Sequence, residues 1–180
     1  MSLVLSCCLP MGAVAKASEN FTEYQISQLL PDAALRGLNG PPRHLKDFHG
    51  KPLLINVWAS WCGPCKQEMA SLERLAWSEI AQHINIIGIS TDDYPERAQQ
   101  WLSQSHSTIS HFIDERLQME RMLGASHLPL TVLVGPDGRI LSKIYGAREW
   151  DSPQALRLLR DRLGKTANSM QPSLKPGASE

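Results

Sequence analysis

Two thiols stand three residues apart in Trp61-Cys62-Gly63-Pro64-Cys65, directly after the apolar run Leu53-Leu54-Ile55-Asn56-Val57-Trp58. That spacing lets them open and close as a disulfide. The apolar run reads as a buried strand and the residues after Cys62 as a helix, so Cys62 falls at a helix N-terminus. There the free N–H groups and the dipole favour a negative charge. Lowering a thiol pKa by one unit takes about 1.4 kcal/mol. A dipole contribution of roughly 0.3–1 kcal/mol plus a backbone hydrogen bond to sulfur is of that size. Cys62 is therefore expected to be the exposed attacking thiol and Cys65 the shielded one that resolves a mixed disulfide. The chemistry implied is thiol–disulfide exchange. Two blander uses of the pair are a zinc half-site and a plain crosslink. A structural zinc site takes four ligands; the other two cysteines, Cys7 and Cys8, lie in an apolar leader, and the six His show no paired spacing. A crosslink that closes so small a loop adds less stability than one closing a long loop.

Glu68 follows Cys65 by three residues and shares its part of the helix face. The positions three and four away from it are Pro64, Cys65, Ser71 and Leu72, none of them basic. A carboxyl near a buried thiol can shuttle its proton, and partial burial raises its pKa toward neutrality; the alternative is a solvated helix residue. Trp61 offers an apolar rim to partners or simply packs. Lys66 could favour the thiolate or be a solvated lysine; His127, beside the proline loop, could meet the thiols but reads better as a surface loop histidine.

The elements that must position these groups are legible from periodicity. Ala33 to Leu38 and Arg43 to Leu45, separated by Asn39-Gly40-Pro41-Pro42, predict a hairpin. Residues 53–58, apolar almost throughout, predict a strand covered on both faces. Pro64 suits the first turn of the next helix, and Cys65, Met69, Leu72, Ala76 and Ile80 give that helix a core face. Ile84 to Ser90 predicts a strand. Tyr94 to Ser105 predicts a helix, with Asp92 or Asp93 as its cap. His111 to Ile113 reads as a short strand, and Leu117 to Leu123 as a helix stopped by Gly124. Leu130 to Val134 and Arg139 to Tyr145 flank Gly135-Pro136-Asp137-Gly138 as a hairpin. Ser152-Pro153 starts a last helix with Ala155, Leu156, Leu159 and Leu163 on one face. Residues 18–30 read as a loose lead-in. Strands alternating with helices, then an antiparallel hairpin, predict an α/β fold: a central mixed sheet flanked by helices.

The 180 residues carry 18 basic and 18 acidic side chains, so the net charge is zero, and 42% of residues are apolar. There is no basic excess of the kind nucleic-acid binding requires. No apolar run is long enough to span a bilayer. Leu3 to Ala15 reads as the apolar stretch of an export signal, and Ala15-Lys16-Ala17 as its cleavage site. No basic residue precedes that stretch. Val4-Leu5-Ser6-Cys7 also resembles a lipoprotein box that would leave Cys7 lipidated. The expected organisation is a signal segment or anchor over 1–17, one domain over 18–165, and a disordered tail over 166–180. Cleavage after Ala17 leaves Cys62 and Cys65 as the cysteines of an exported protein, a working pair rather than a disulfide framework.

Trp58-Ala59-Ser60-Trp61-Cys62-Gly63-Pro64-Cys65 after an apolar strand is similar to the thioredoxin superfamily. More narrowly, the chain resembles the exported TlpA/ResA-type thiol–disulfide oxidoreductases. The resemblance rests on Gly50-Lys51-Pro52, Asn56, the Cys pair, Glu68 and Leu128-Pro129-Leu130-Thr131, the last running into Val134-Gly135-Pro136-Asp137-Gly138. It implies a thioredoxin-like fold with an N-terminal hairpin and a central strand-helix insertion. It implies a periplasmic or otherwise extracytoplasmic place, and a redox-active disulfide with no further cofactor and no metal. Glu68 becomes the proton carrier, since Asn56 stands where cytosolic thioredoxins bury an acid. The Leu128–Pro129 bond is implied to be cis and to face the Cys pair. A proline there removes an N–H and leaves Leu128 free to pair with an extended substrate. Trp61, Gly63, Pro64, Leu128 and Pro129 form the implied substrate rim.

The implied partners are protein thiols and disulfides, with a thiol-reductase type membrane donor to restore the dithiol. Apocytochrome c, through its Cys-x-x-Cys-His segment, and a copper-site assembly protein are the specific candidates. Relatives specialised for cytochromes carry Glu after the proline, where this chain has Leu130. A peroxide-reducing relative would need a Thr/Ser and Arg pocket around Cys62, which the sequence does not supply. A non-catalytic copper(I) chaperone would use the same pair without turnover. Reduction potentials in the superfamily run from about −270 to −120 mV, which covers reductants and oxidants alike.

Overall fold

The computed structural model describes residues 22–169. The expected signal segment over 1–17, with Cys7 and Cys8, and residues 170–180 of the expected tail lie outside them. Eight strands form one sheet: β1 (Thr22–Gln25), β2 (Ala34–Gly37), β3 (Arg43–His44), β4 (Leu53–Trp58), β5 (Asn85–Ser90), β6 (Ser110–Ile113), β7 (Leu130–Val134) and β8 (Ile140–Tyr145). Their order across the sheet is β1-β8-β7-β4-β5-β6-β2-β3. The three central strands β4, β5 and β6 run parallel, and the remaining pairings are antiparallel. The helices are α1 (Gly63–Ala76), α2 (Pro95–Ser105), α3 (Gln118–Leu123) and α4 (Pro153–Ser169). The α/β fold with a central mixed sheet is the one expected. The hairpin β2–β3 attaches beside β6, which with α2 makes the strand-helix unit between β5 and α3.

β4 shows why an almost continuous apolar run was needed. All six of its residues are buried, because side chains alternate between two covered faces. Leu54 and Trp58 join α1, α2 and α4 in one cluster, with Met69, Leu72, Leu102, Trp150 and Leu159. Leu53, Ile55 and Val57 join the other, with Ile89, Phe112, Leu123 and Val132. The same alternation turns Asn56 to the α1 face.

Several elements differ from the sequence reading. The lead-in contains β1, which pairs along β8 from Thr22↔Tyr145 to Gln25↔Ser142, and Leu30 is buried. Four residues of mixed character carry no period of their own, and β8 supplies the partner. α1 stops at Ala76, and Ile80 sits in a separate 3-10 turn, Glu79–Gln82. The Ser78 hydroxyl donates to the Leu75 carbonyl at 2.6 Å, closing the last turn so that the chain can reverse into β5. Neither Asp92 nor Asp93 caps α2; its N-cap is Tyr94, with no side-chain cap bond. Asp92 is engaged elsewhere. α4 continues to Ser169, past the domain end read at residue 165. No helix among the described residues is long and apolar enough to cross a membrane.

Candidate active site

α1 begins where the sequence placed it. Cys62 is its N-cap, Pro64 lies in the first turn, and the Cys65 N–H donates to Cys62 Sγ at 3.2 Å. The two sulfurs are joined in a disulfide with Cα atoms 5.3 Å apart. Cys62 is the more accessible of the pair, but at 5% exposed against 0% for Cys65 it is not the open thiol expected. In the disulfide each sulfur covers the other, and both sit in the α1-side core cluster. Gly63, Pro64 and Lys66 are exposed, and Trp61 stands out at 68%.

The turn that presents the pair is held from β5. Asp92 is buried and its Oδ2 accepts from the Ser60 N–H at 2.8 Å and from the Ser90 hydroxyl at 2.7 Å, while its Oδ1 accepts from the Ser60 hydroxyl at 2.6 Å. Three donors on one desolvated carboxylate make a strong local clamp.

Glu68 is 1% exposed. Its Oε1 accepts from Asn56 Nδ2 at 2.7 Å; its Oε2 accepts from the Arg148 N–H at 3.1 Å and from Trp150 Nε1 at 3.2 Å. Burial pushes its carboxyl up to about 7, against the pull of these donors and of the Arg148 charge. A carboxyl that changes state near neutrality, one turn beyond Cys65 on the same helix, is suited to moving a proton. Asn56 also donates to Thr131 Oγ1, its cross-strand neighbour on β7, at 3.3 Å.

The Leu128–Pro129 peptide is cis. Leu130 pairs with Val57, so Pro129 is carried to the end of the sheet from which the Cys turn leaves β4. Pro129 is buried and Leu128 half-buried. Tyr94, 59% exposed, follows β5 at that end too. His127 is exposed, its Nδ1 is 3.0 Å from the Ser126 hydroxyl, and its ring lies 5.1 Å from that of Tyr145. Sequence reasoning missed Arg148, Trp150, Thr131 and the Asp92 clamp. The one available signal was Trp150 itself: a Trp in the run before a helix whose indole N–H needs a partner once buried.

A disulfide capping a helix, with a buried carboxyl one turn on, invites comparison with known proteins. The AhpC/TSA family matches residues 26–143. The chain belongs to that family. A ResA thiol–disulfide oxidoreductase of Bacillus thuringiensis subsp. konkukian is 27% identical to it over 122 residues, 68% of this chain and 70% of the relative. That of Oceanobacillus iheyensis is 24% identical over 153 residues, covering 83% and 80%. A Chlorobium tepidum structure assigned as a thiol:disulfide interchange protein DsbE superposes with a TM-score of 0.71 at 25% identity, covering 77% of this chain and 98% of its own. This AhpC/TSA-family protein has the thioredoxin-like fold of these relatives and is a thiol–disulfide oxidoreductase.

Proposed function

We propose that the protein reduces disulfides of other proteins outside the cytoplasm. The Cys62 thiolate attacks a substrate disulfide, forms a mixed disulfide and expels one substrate thiolate. Glu68 as carboxylate accepts the proton of the Cys65 thiol. The Cys65 thiolate then attacks Cys62 Sγ, closes the Cys62–Cys65 disulfide and expels the second substrate thiolate, which takes up a proton. The substrate gains two electrons and the protein loses two. A membrane dithiol donor of thiol-reductase type returns them.

What supports this reading most is the closed pair at the α1 N-terminus with Glu68 buried behind it. The apolar leader from Leu3 to Ala15 supports export. Candidate substrates are the Cys-x-x-Cys-His segment of an apocytochrome c and a copper-site assembly protein. Leu130 weakens a specificity for apocytochrome c, because the Glu that cytochrome-specialised relatives carry after the proline is missing there. Trp61, Gly63, Pro64, Leu128 and Pro129 form the substrate rim, with backbone pairing at Leu128.

Equilibration with glutathione buffers, joined to an insulin-reduction assay, tests the direction of the reaction. A potential nearer about −270 mV than about −120 mV, with insulin reduction lost in Cys62→Ser, is expected. A potential at the oxidising end would make the protein an oxidant. Tight copper(I) retention without turnover would make it a chaperone.

A further inference from the structure

The segment joining β8 to α4, residues 146–152, is tied at several points to the cis-proline loop and to α1. The Gly146 N–H donates to the Pro129 carbonyl at 3.0 Å. The Arg148 N–H and the Trp150 indole N–H both reach Glu68 Oε2. Ser71 Oγ on α1 lies 2.7 Å from the Glu68 carbonyl and 3.1 Å from the Arg148 carbonyl, and accepts the Trp150 N–H at 2.9 Å. Arg74, further along α1, pairs with Glu149 at 3.0 Å and Asp151 at 2.5 Å. The segment is a strap from the cis-proline loop to the helix that carries the Cys pair.

Within this strap Trp150 makes an unusual use of its side chain. The ring is fully buried in the α1-side core, where a phenyl ring would serve for packing. Its one polar atom is spent on the Glu68 carboxyl. We propose that Trp150 is a positioning residue: its indole N–H fixes the Glu68 carboxyl and sets the pH at which Glu68 gives and takes a proton. The proposal rests on the reading of Glu68 as the proton carrier.

Each element packed around Glu68 has been given a distinct part. On α1 itself, Cys65 lies three residues before it. From the strap comes Arg148, buried, with its guanidinium 5.7 Å over the Trp150 ring, and its charge favours the carboxylate. β4 and β7 contribute Asn56 and Thr131, which carry no charge. A donor to Oε2 stabilises the carboxylate more than the acid, so Trp150 opposes the burial that drives Glu68 upward. Without that donor Glu68 holds its proton to higher pH, and fewer molecules have a base ready for Cys65 at neutrality.

Titration of the Glu68 side-chain carboxyl by carbon-13 NMR in the oxidised protein tests this directly. Trp150→Phe removes the N–H and keeps an aromatic face for Arg148. Benzothienylalanine at position 150 replaces the N–H by sulfur at nearly unchanged shape, and it decides the matter if the Phe variant does not fold. The Glu68 inflection is expected to rise by about one pH unit relative to wild type, and the acid limb of the exchange rate to rise with it. A loss of packing alone would lower the melting temperature and leave the inflection in place. An unmoved inflection overturns the proposal. The proton-carrier reading has its own control: if Glu68→Gln leaves the pH–rate profile of exchange unaltered, that reading fails and takes the proposal with it.

Discussion

Glu68, the proposed proton carrier, shows how one buried side chain ties stability to pH. Its carboxyl titrates at about 7 in the fold and at 4.5 when unperturbed, and burial is the leading cause. Between those values the folded protein holds a proton that the unfolded chain has released. Stability from this group is therefore present in full below about pH 4.5 and is lost as pH rises through about 7, by on the order of 3 kcal/mol. Glu68→Gln, which keeps the shape and stays uncharged, should remove that loss. Denaturant unfolding of the oxidised protein at pH 5 and pH 8 checks it: the substitution should stabilise more at pH 8 than at pH 5. An equal effect at both would mean that Glu68 is ionised throughout. Such a cost is what the proposed proton-carrier role entails, since a carboxyl kept fully solvated would be a poor base for a thiol at neutral pH.

At the scale of elements, the turn between β4 and α1 is governed by residues far along the chain. The Asp92 carboxylate takes both hydrogen-bonding groups of Ser60 and the Ser90 hydroxyl, so the residue two before Cys62 is fastened to the end of β5. Asp92→Ala would strand those donors in a buried place, at a cost of about 1–3 kcal/mol each where water cannot reach. The expected result is a loss of stability of roughly 2–4 kcal/mol in chemical denaturation and faster alkylation of Cys62 in the reduced protein. Unchanged alkylation would show that the turn is rigid without the clamp. The strap from β8 to α4 works on the same principle from the other side, holding α1 through Ser71 and Arg74.

Across the whole molecule, a second buried titratable group opposes Glu68. His111 on β6 is 1% exposed, with its Nε2 3.1 Å from the Ser107 hydroxyl and its ring against Trp58. Burial pulls its pKa from 6.5 down to about 4, against the attraction of Glu73. Here the unfolded chain binds the extra proton, so stability from this group is present above about pH 6.5 and is lost as pH falls through about 4. The two groups have opposite slopes between about pH 4.5 and pH 6.5, and the wild-type curve should be flat there as far as they set it. His111→Asn should leave the Glu68 slope uncovered, with melting temperature falling steadily from pH 4.5 to pH 7. A curve parallel to wild type would show that His111 is protonated in the fold. Gly88 explains why the ring can sit so deep: a Cβ there would come within 2.1 Å of His111 Nδ1.

Much of this was written in local sequence. The Cys pair and Pro64 predict a helix start because capping and proline geometry act within one turn. The run 53–58 predicts a buried strand because alternation with no polar face leaves no other place for it. The i, i+3 spacing of Cys65 and Glu68 puts the acid beside the thiol whatever the rest of the chain does. What local sequence could not decide is everything that depends on a partner brought from afar. β1 exists because β8 offers an edge, not because residues 22–25 favour a strand. Asp92 looked like a helix cap and became a clamp, because parallel pairing of β4 with β5 sets Ser60 within its reach. Glu68 had no partner within its own helix, and its partners arrived from β4 and from a strap some eighty residues away in sequence. Spacing along a chain fixes which groups share a helical turn, but burial and long-range hydrogen bonding fix a pKa, and those exist only once the chain has closed on itself.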